Sequence, residues 1–175
     1  PAGVVIVTGG AGHLGREISL GLADFGARVI AVGRTGADSV SFDTPRIDYA
    51  PCDVQDEAAF AALVDNVHAR YGRLDGLVNN AGAAKRETWN ELDADAWRAG
   101  LDATLNHYFT SIKAVSRYML AAGAGSIVNN ASIFGVVAPV SGMYPEGIRG
   151  PSAHHAAAKA GVIQLTRYLG AQWAE

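Results

Sequence analysis

The chain has 175 residues, enough for one well-cored domain and too few for two ordinary ones. With 49% apolar residues, 18% charged residues and 21 glycines it reads as globular and rich in tight turns, not as disordered. A formal charge of −3 with both signs interspersed offers no broad positive field for nucleic acid or anionic lipid, and the single cysteine, Cys52, allows no internal disulfide and suggests no thiolate zinc site.

The opening PAGVVIVTGG reads as a short strand, Gly3 to Thr8, rather than a charged leader, and no stretch of about 18 or more apolar residues suggests a membrane span. A cytoplasmic protein is therefore expected. Helical spacing follows from His13 to Phe25 through Leu14, Ile18, Leu22 and Phe25. Arg28 to Val32 is a second strand of buried type, and Ile47 to Cys52 is a third beyond a polar loop. Asp56 to Tyr71 places Phe60, Leu63, Val64 and Val67 on one helical face, with Gly72 as the stop. Leu74 to Val78 is a fourth strand ending in NNAG. A long helix is expected from about Asp95 to Ala121, a fifth strand over Ser126 to Asn130, and a last helix over Ser152 to Trp173 with Ser152 as its N-cap. Strands alternating with helices imply right-handed crossovers and an α/β, doubly wound parallel sheet. Because the chain ends inside that helix, it is expected to be a fragment or trimmed form of a single domain over residues 1–175.

Gly10, Gly12 and Gly15 fit G-x-G-x-x-G between the first strand and the first helix, the context in which that motif marks a dinucleotide site. The main chain of Gly9, Gly10, Gly12, His13, Leu14 and Gly15 can approach a pyrophosphate closely, with the positive end of the helix dipole behind it. At the end of the second strand, AVGRTG carries no acid to accept from ribose hydroxyls. Gly33 followed by Arg34 leaves room for a 2′-phosphate with a guanidinium partner, so NADP is expected over NAD.

TGGAGHLG at 8–15, CDV at 52–54, NNAG at 79–82, NNASIFG at 129–135 and the helix bearing Lys159 together resemble the short-chain dehydrogenase/reductase family across the whole chain. The resemblance implies a Rossmann-type sheet, here truncated after the helix that follows the fifth strand, and hydride transfer between a nicotinamide cofactor and a small carbonyl or alcohol substrate. It places Asp53 and Val54 at the adenine, and Asn80, Ala81 and Gly82 along the cofactor. Ser132 would hold the substrate oxygen, and Lys159 the nicotinamide ribose. It also implies a homodimer or homotetramer, built through the two long helices.

Two positions depart from the family. The tyrosine that donates the proton, four residues before the lysine, is His155 here, and a helix asparagine falls on Thr104, with Asn106 two residues along and facing another way. A histidine can donate a proton near neutral pH, although the Lys159 ammonium disfavours its charged form and its ring reaches less far than a phenol. Three readings stay open: a working oxidoreductase with a histidine donor, a weakened or inactive dinucleotide-binding homologue acting as sensor or assembly component, and donation by Tyr144. Neither a metal at His154 and His155 nor a Ser132 hydrolase fits the pattern, since adjacent helical residues diverge and no G-x-S-x-G elbow exists. Trp89, Trp97 and Trp173 read as packing residues, and substrate identity rests on the loop from Phe134 to Gly150.

Overall fold

A computed structural model describes residues 3–82, 85–140 and 142–174. These fall into two compact units, residues 1–81 with 109–130 and residues 82–108 with 131–175. Among the described residues no helix is long and apolar enough to cross a membrane.

The first unit is built on five strands, β1 (Val4–Thr8), β2 (Arg28–Gly33), β3 (Ile47–Pro51), β4 (Gly76–Asn79) and β5 (Ser126–Asn129). All pair in parallel in the order β3-β2-β1-β4-β5, the arrangement anticipated from the alternating pattern. The chain leaves β1 toward β2 and β3 and then returns to β1's other side for β4. That reversal creates a topological switch point at the carboxyl ends of β1 and β4. Val7, Val29, Ala31, Ile47 and Val78 form a continuous core with Ala23, as buried parallel strands require. β5 lies at the sheet edge, where Val128 is 54% exposed.

Helix α1 (His13–Asp24) differs from the expected face. Its buried stripe is Gly15, Ser19 and Ala23, whereas Leu14 and Phe25 are exposed. Ile18 and Leu22 reach the core only partly. Small residues win the inner face because the glycine turn brings the helix too close to the sheet for large ones. Helix α2 (Glu57–Tyr71) follows its prediction, capped by the Asp56 side chain on the Ala59 amide and ended by Gly72 at φ +68°, with Phe60, Val64 and Val67 buried.

The expected long helix is not continuous. It begins as α3 (Ala94–Leu101), widens into one π-type segment (Asp102–Asn106) and continues as α4 (His107–Ala122), whose residues from Phe109 onward belong to the first unit. In the second unit α5 (Ala153–Gln172) buries His154, Ala158, Lys159 and Val162. Ser152 occupies the N-cap position but makes no capping bond: its hydroxyl donates to the Lys85 carbonyl (2.7 Å) and accepts from the Glu87 amide (2.8 Å). Trp89, expected to pack, is 77% exposed. Ser141, in the loop expected to shape the pocket, lies outside the described residues.

Candidate cofactor and catalytic sites

The glycine turn lies at the switch point of the first unit. Gly9 has φ +65°, a conformation that L side chains avoid. The Gly10 amide donates to the Val32 carbonyl, the Ser19 hydroxyl donates to the Gly10 carbonyl, and the Gly12 amide donates to the Gly9 carbonyl (2.9 Å). A Cβ on Gly15 would stand 2.0 Å from the Gly9 carbonyl oxygen, so the first turn of α1 can lie on the loop only without a side chain there. No side chain caps α1 and no acid occupies its first turn, which leaves its leading amides and the positive dipole end for an anion. This cradle fits a pyrophosphate.

Behind it, Thr8 is fully buried and its hydroxyl accepts from the Asn80 amide (3.0 Å) and the Ala81 amide (3.1 Å). The Asn80 side chain donates to the Thr8 carbonyl (3.1 Å), Asn130 donates to the Asn80 side chain (3.2 Å), and Asn79 donates to Asn129 (2.9 Å). This asparagine ladder ties the ends of β1, β4 and β5 together. Val54 is buried, and the Asp53 carboxylate accepts from the Gln55 amide (3.0 Å). Arg34 is exposed beyond β2. Beside it the Tyr49 hydroxyl, which donates to the Thr35 carbonyl, stands 2.9 Å from where a Cβ on Gly33 would lie, so Gly33 also has a packing reason to be glycine.

The second unit holds Ser132 and His155 on one cavity of about 270 Å³, lined also by Lys85, Arg86, Phe134, Tyr144, Pro151 and Ser152. Ser132 caps the short 3₁₀ turn Ile133–Gly135, its hydroxyl oxygen accepting from the Phe134 amide (3.2 Å). Burial first, then the charges of Lys159, His154 and Arg86, lower the His155 pKa below the ordinary imidazole value. His155 is thus neutral at pH 7, with one ring N–H to give.

Lys159, one turn further along α5, is buried, and its ammonium donates to the Tyr108 hydroxyl (3.2 Å) while lying 4.9 Å from that ring's centre. Burial lowers its pKa to about 8 and pushes the Tyr108 phenol far up. Tyr108 had no signal in the sequence, because its role depends on the π segment that sets the rotation of α4. Within that segment Thr104 is buried with no partner for its hydroxyl among the described residues, and Asn106 is exposed, donating to Asp102 (2.5 Å). Gly82, in this unit, lies near the Ala103 carbonyl.

His154 and His155 do diverge. His154 is 1% exposed, and its Nε2 lies 3.0 Å from Glu87 Oε2. Gly100 makes that burial possible, since a Cβ there would fall 2.3 Å from the His154 ring. The His154 ring holds the Glu87 carboxyl below its usual range.

The lowered Lys159 pKa has a measurable consequence. Between about pH 8 and the ordinary lysine value of 10.5 the unfolded chain binds more protons at this group than the folded one, so its contribution to stability rises with pH. Denaturant unfolding of wild type and Lys159→Met at pH 7 and pH 10 is expected to show wild type gaining on the variant by on the order of 1–2 kcal/mol at the higher pH.

A sequence profile described as short chain dehydrogenase matches residues 3–175. The chain is 36% identical over 181 aligned positions to the (5R,7aS)-5-hydroxy-7a-methyl-1-oxo-2,3,5,6,7,7a-hexahydro-1H-indene-carboxyl-CoA reductase of Mycobacterium tuberculosis, covering 98% of this chain and 65% of that protein. It is 38% identical to the cis-4-hydroxycyclohexanecarboxylate dehydrogenase of Sinomonas cyclohexanicum, covering 98% of this chain and 67% of that one. The crystal structure of a short-chain dehydrogenase from Streptomyces avermitilis superposes with a TM-score of 0.85 at 28% identity, covering 99% of this chain and 62% of that one. This chain thus spans about two thirds of the length of the proteins it matches.

Proposed function

This chain belongs to the short-chain dehydrogenase family, whose members bind NAD(P), and from that premise we propose that it is an NADP-dependent oxidoreductase acting on a small carbonyl or alcohol, with His155 as the proton donor. The observation that carries the reading is the shared cavity, which both His155 and Ser132 line.

When bound, a reduced nicotinamide would supply hydride to the carbonyl carbon. Negative charge then develops on the oxygen, where Ser132 donates a hydrogen bond and neutral His155 gives up its ring proton. The resulting imidazolate-like charge is offset by the nearby Lys159 ammonium, which would also hold the nicotinamide ribose. In the first unit Gly9, Gly10, Gly12, His13, Leu14 and Gly15 would hold the pyrophosphate, and Asn80, Ala81, Asp53 and Val54 would line the rest. Both named relatives are enzymes of ring-borne oxygen chemistry, which favours an alicyclic ketone or secondary alcohol as substrate. Phe109 and Leu120, left exposed on α4, and Tyr168, left exposed on α5, support self-association through those helices.

The test is a panel of cyclic ketones with NADPH, followed by loss of reduced-cofactor absorbance. Cofactor choice is tested separately. NADPH is expected to bind at least about tenfold more tightly than NADH, and Arg34→Asp to reverse that order, because an exposed arginine partners a 2′-phosphate and an acid partners ribose hydroxyls. An unchanged ratio in the variant would remove Arg34 from the site.

A further inference from the structure

The cavity around His155 is charged in one direction only. Lys85 and Arg86 line it, and so do Pro151 and Ser152, which begin the 20-residue helix α5. The Ser152 hydroxyl is spent on the Lys85 carbonyl and on the amide and carboxylate of Glu87 (3.4 Å to the latter), so no side chain makes a capping bond to that helix. Among the described residues no carboxylate lines it. The acids of the adjoining segment have partners of their own, although Glu87 Oε2 also accepts from the hydroxyl of cavity-lining Ser152 (3.4 Å). Glu87 pairs with buried His154, and Glu91 pairs with Arg149 (2.6 Å) and accepts from the Thr88 amide (2.9 Å).

Of the two cations, Arg86 is also held in place. Arg86 donates to the Arg149 carbonyl (2.8 Å), Arg149 donates back to the Arg86 carbonyl (3.2 Å), and the Glu87–His154 pair fastens the next residue to α5. Such anchoring keeps a cation on the cavity wall instead of letting it swing into solvent. Arg86 is close enough that its charge contributes to lowering the His155 pKa.

We propose that the cavity selects substrates carrying a carboxylate, with Lys85 and Arg86 as its recognition pair and His155 and Ser132 at the carbonyl or alcohol end. The word substrate rests on the oxidoreductase reading; the anion preference does not. A cavity of about 270 Å³ corresponds to roughly nine water volumes, so the ligand is a compact monoanion and not a nucleotide-sized polyanion.

Calorimetric titration of the full chain at pH 7 and low salt with cyclohexanecarboxylate, cyclohexanecarboxamide and cyclohexyl phosphate tests this without turnover. The carboxylate is expected to bind about tenfold or more tightly than the isosteric amide. Lys85→Gln, which leaves the Arg86–Arg149 clasp intact, should lose a several-fold share of that preference. Lys85→Gln with Arg86→Gln should abolish it, bringing the acid and amide affinities together. Equal binding of acid and amide, or variants that keep the preference, would overturn the proposal, as would a phosphate ester that outcompetes the carboxylate. Selective carboxylate binding by a protein that oxidises no NADPH with any ketone would sink only the oxidoreductase reading.

Discussion

Replacing His155 with alanine is expected to lower the rate of ketone reduction by about 10²–10⁴-fold while NADPH affinity stays within about threefold, the signature of a lost general acid. His155 and Ser132 line one cavity of the second unit, whereas the glycine turn proposed to hold the cofactor belongs to the first. Tyr144 lines the same cavity and carries the only phenol there, so Tyr144→Phe is the necessary control. Its ring packs where a Cβ on Gly150 would lie (2.8 Å), the place of a wall residue, and the substitution is expected to change the rate by less than about threefold. A large loss in Tyr144→Phe with little in His155→Ala would move the proton to the phenol. Turnover seen only in His155→Tyr would instead mark a dinucleotide-binding homologue that has given up its donor. Because His155 is held neutral by burial and by Lys159, the rate should show no imidazole limb between about pH 6.5 and 7.5.

The second large effect is expected at Gly15. Alanine there would place its Cβ 2.0 Å from the Gly9 carbonyl oxygen, 2.7 Å from its carbonyl carbon and 2.8 Å from the Asn80 side-chain nitrogen. Two of these three neighbours are backbone atoms of a turn that already needs positive φ at Gly9, so the loop cannot give way without opening the cradle. NADPH affinity is expected to fall by more than about 100-fold, and stability by about 1–3 kcal/mol or more, as overpacking costs. Gly21, in the same helix, has nothing within 4 Å of a built Cβ, and Gly21→Ala should hold or raise stability by up to about 1 kcal/mol. Paired unfolding curves and nucleotide fluorescence titrations check both. If Gly15→Ala binds NADPH as wild type does, the pyrophosphate does not sit on this turn.

How far the sequence reaches is clear from particular elements. β1 to β5, their parallel direction and the place of the glycine turn follow from apolar runs alternating with helical spacing, because buried parallel strands and amphipathic crossovers leave periodic traces in one dimension. Asp56 and Gly72 marked the ends of α2 for the same reason: caps are local chemistry. The face of α1 was not legible, since its inward residues are glycine, serine and alanine, chosen by interaxial distance and not by hydrophobicity. The π segment at Asp102–Asn106 has no local signature, and with it went the pairing of Lys159 with Tyr108, residues 51 positions apart. Ser152 looked like a cap and instead ties the 85–87 segment to α5. The sequence by itself determined the parallel sheet, the place of the glycine turn and the family, all carried by neighbours in the chain. Only the tertiary structure decided which cations and which phenol surround His155 and Lys159, because electrostatic environment and burial depend on distances in space that no spacing along the chain encodes.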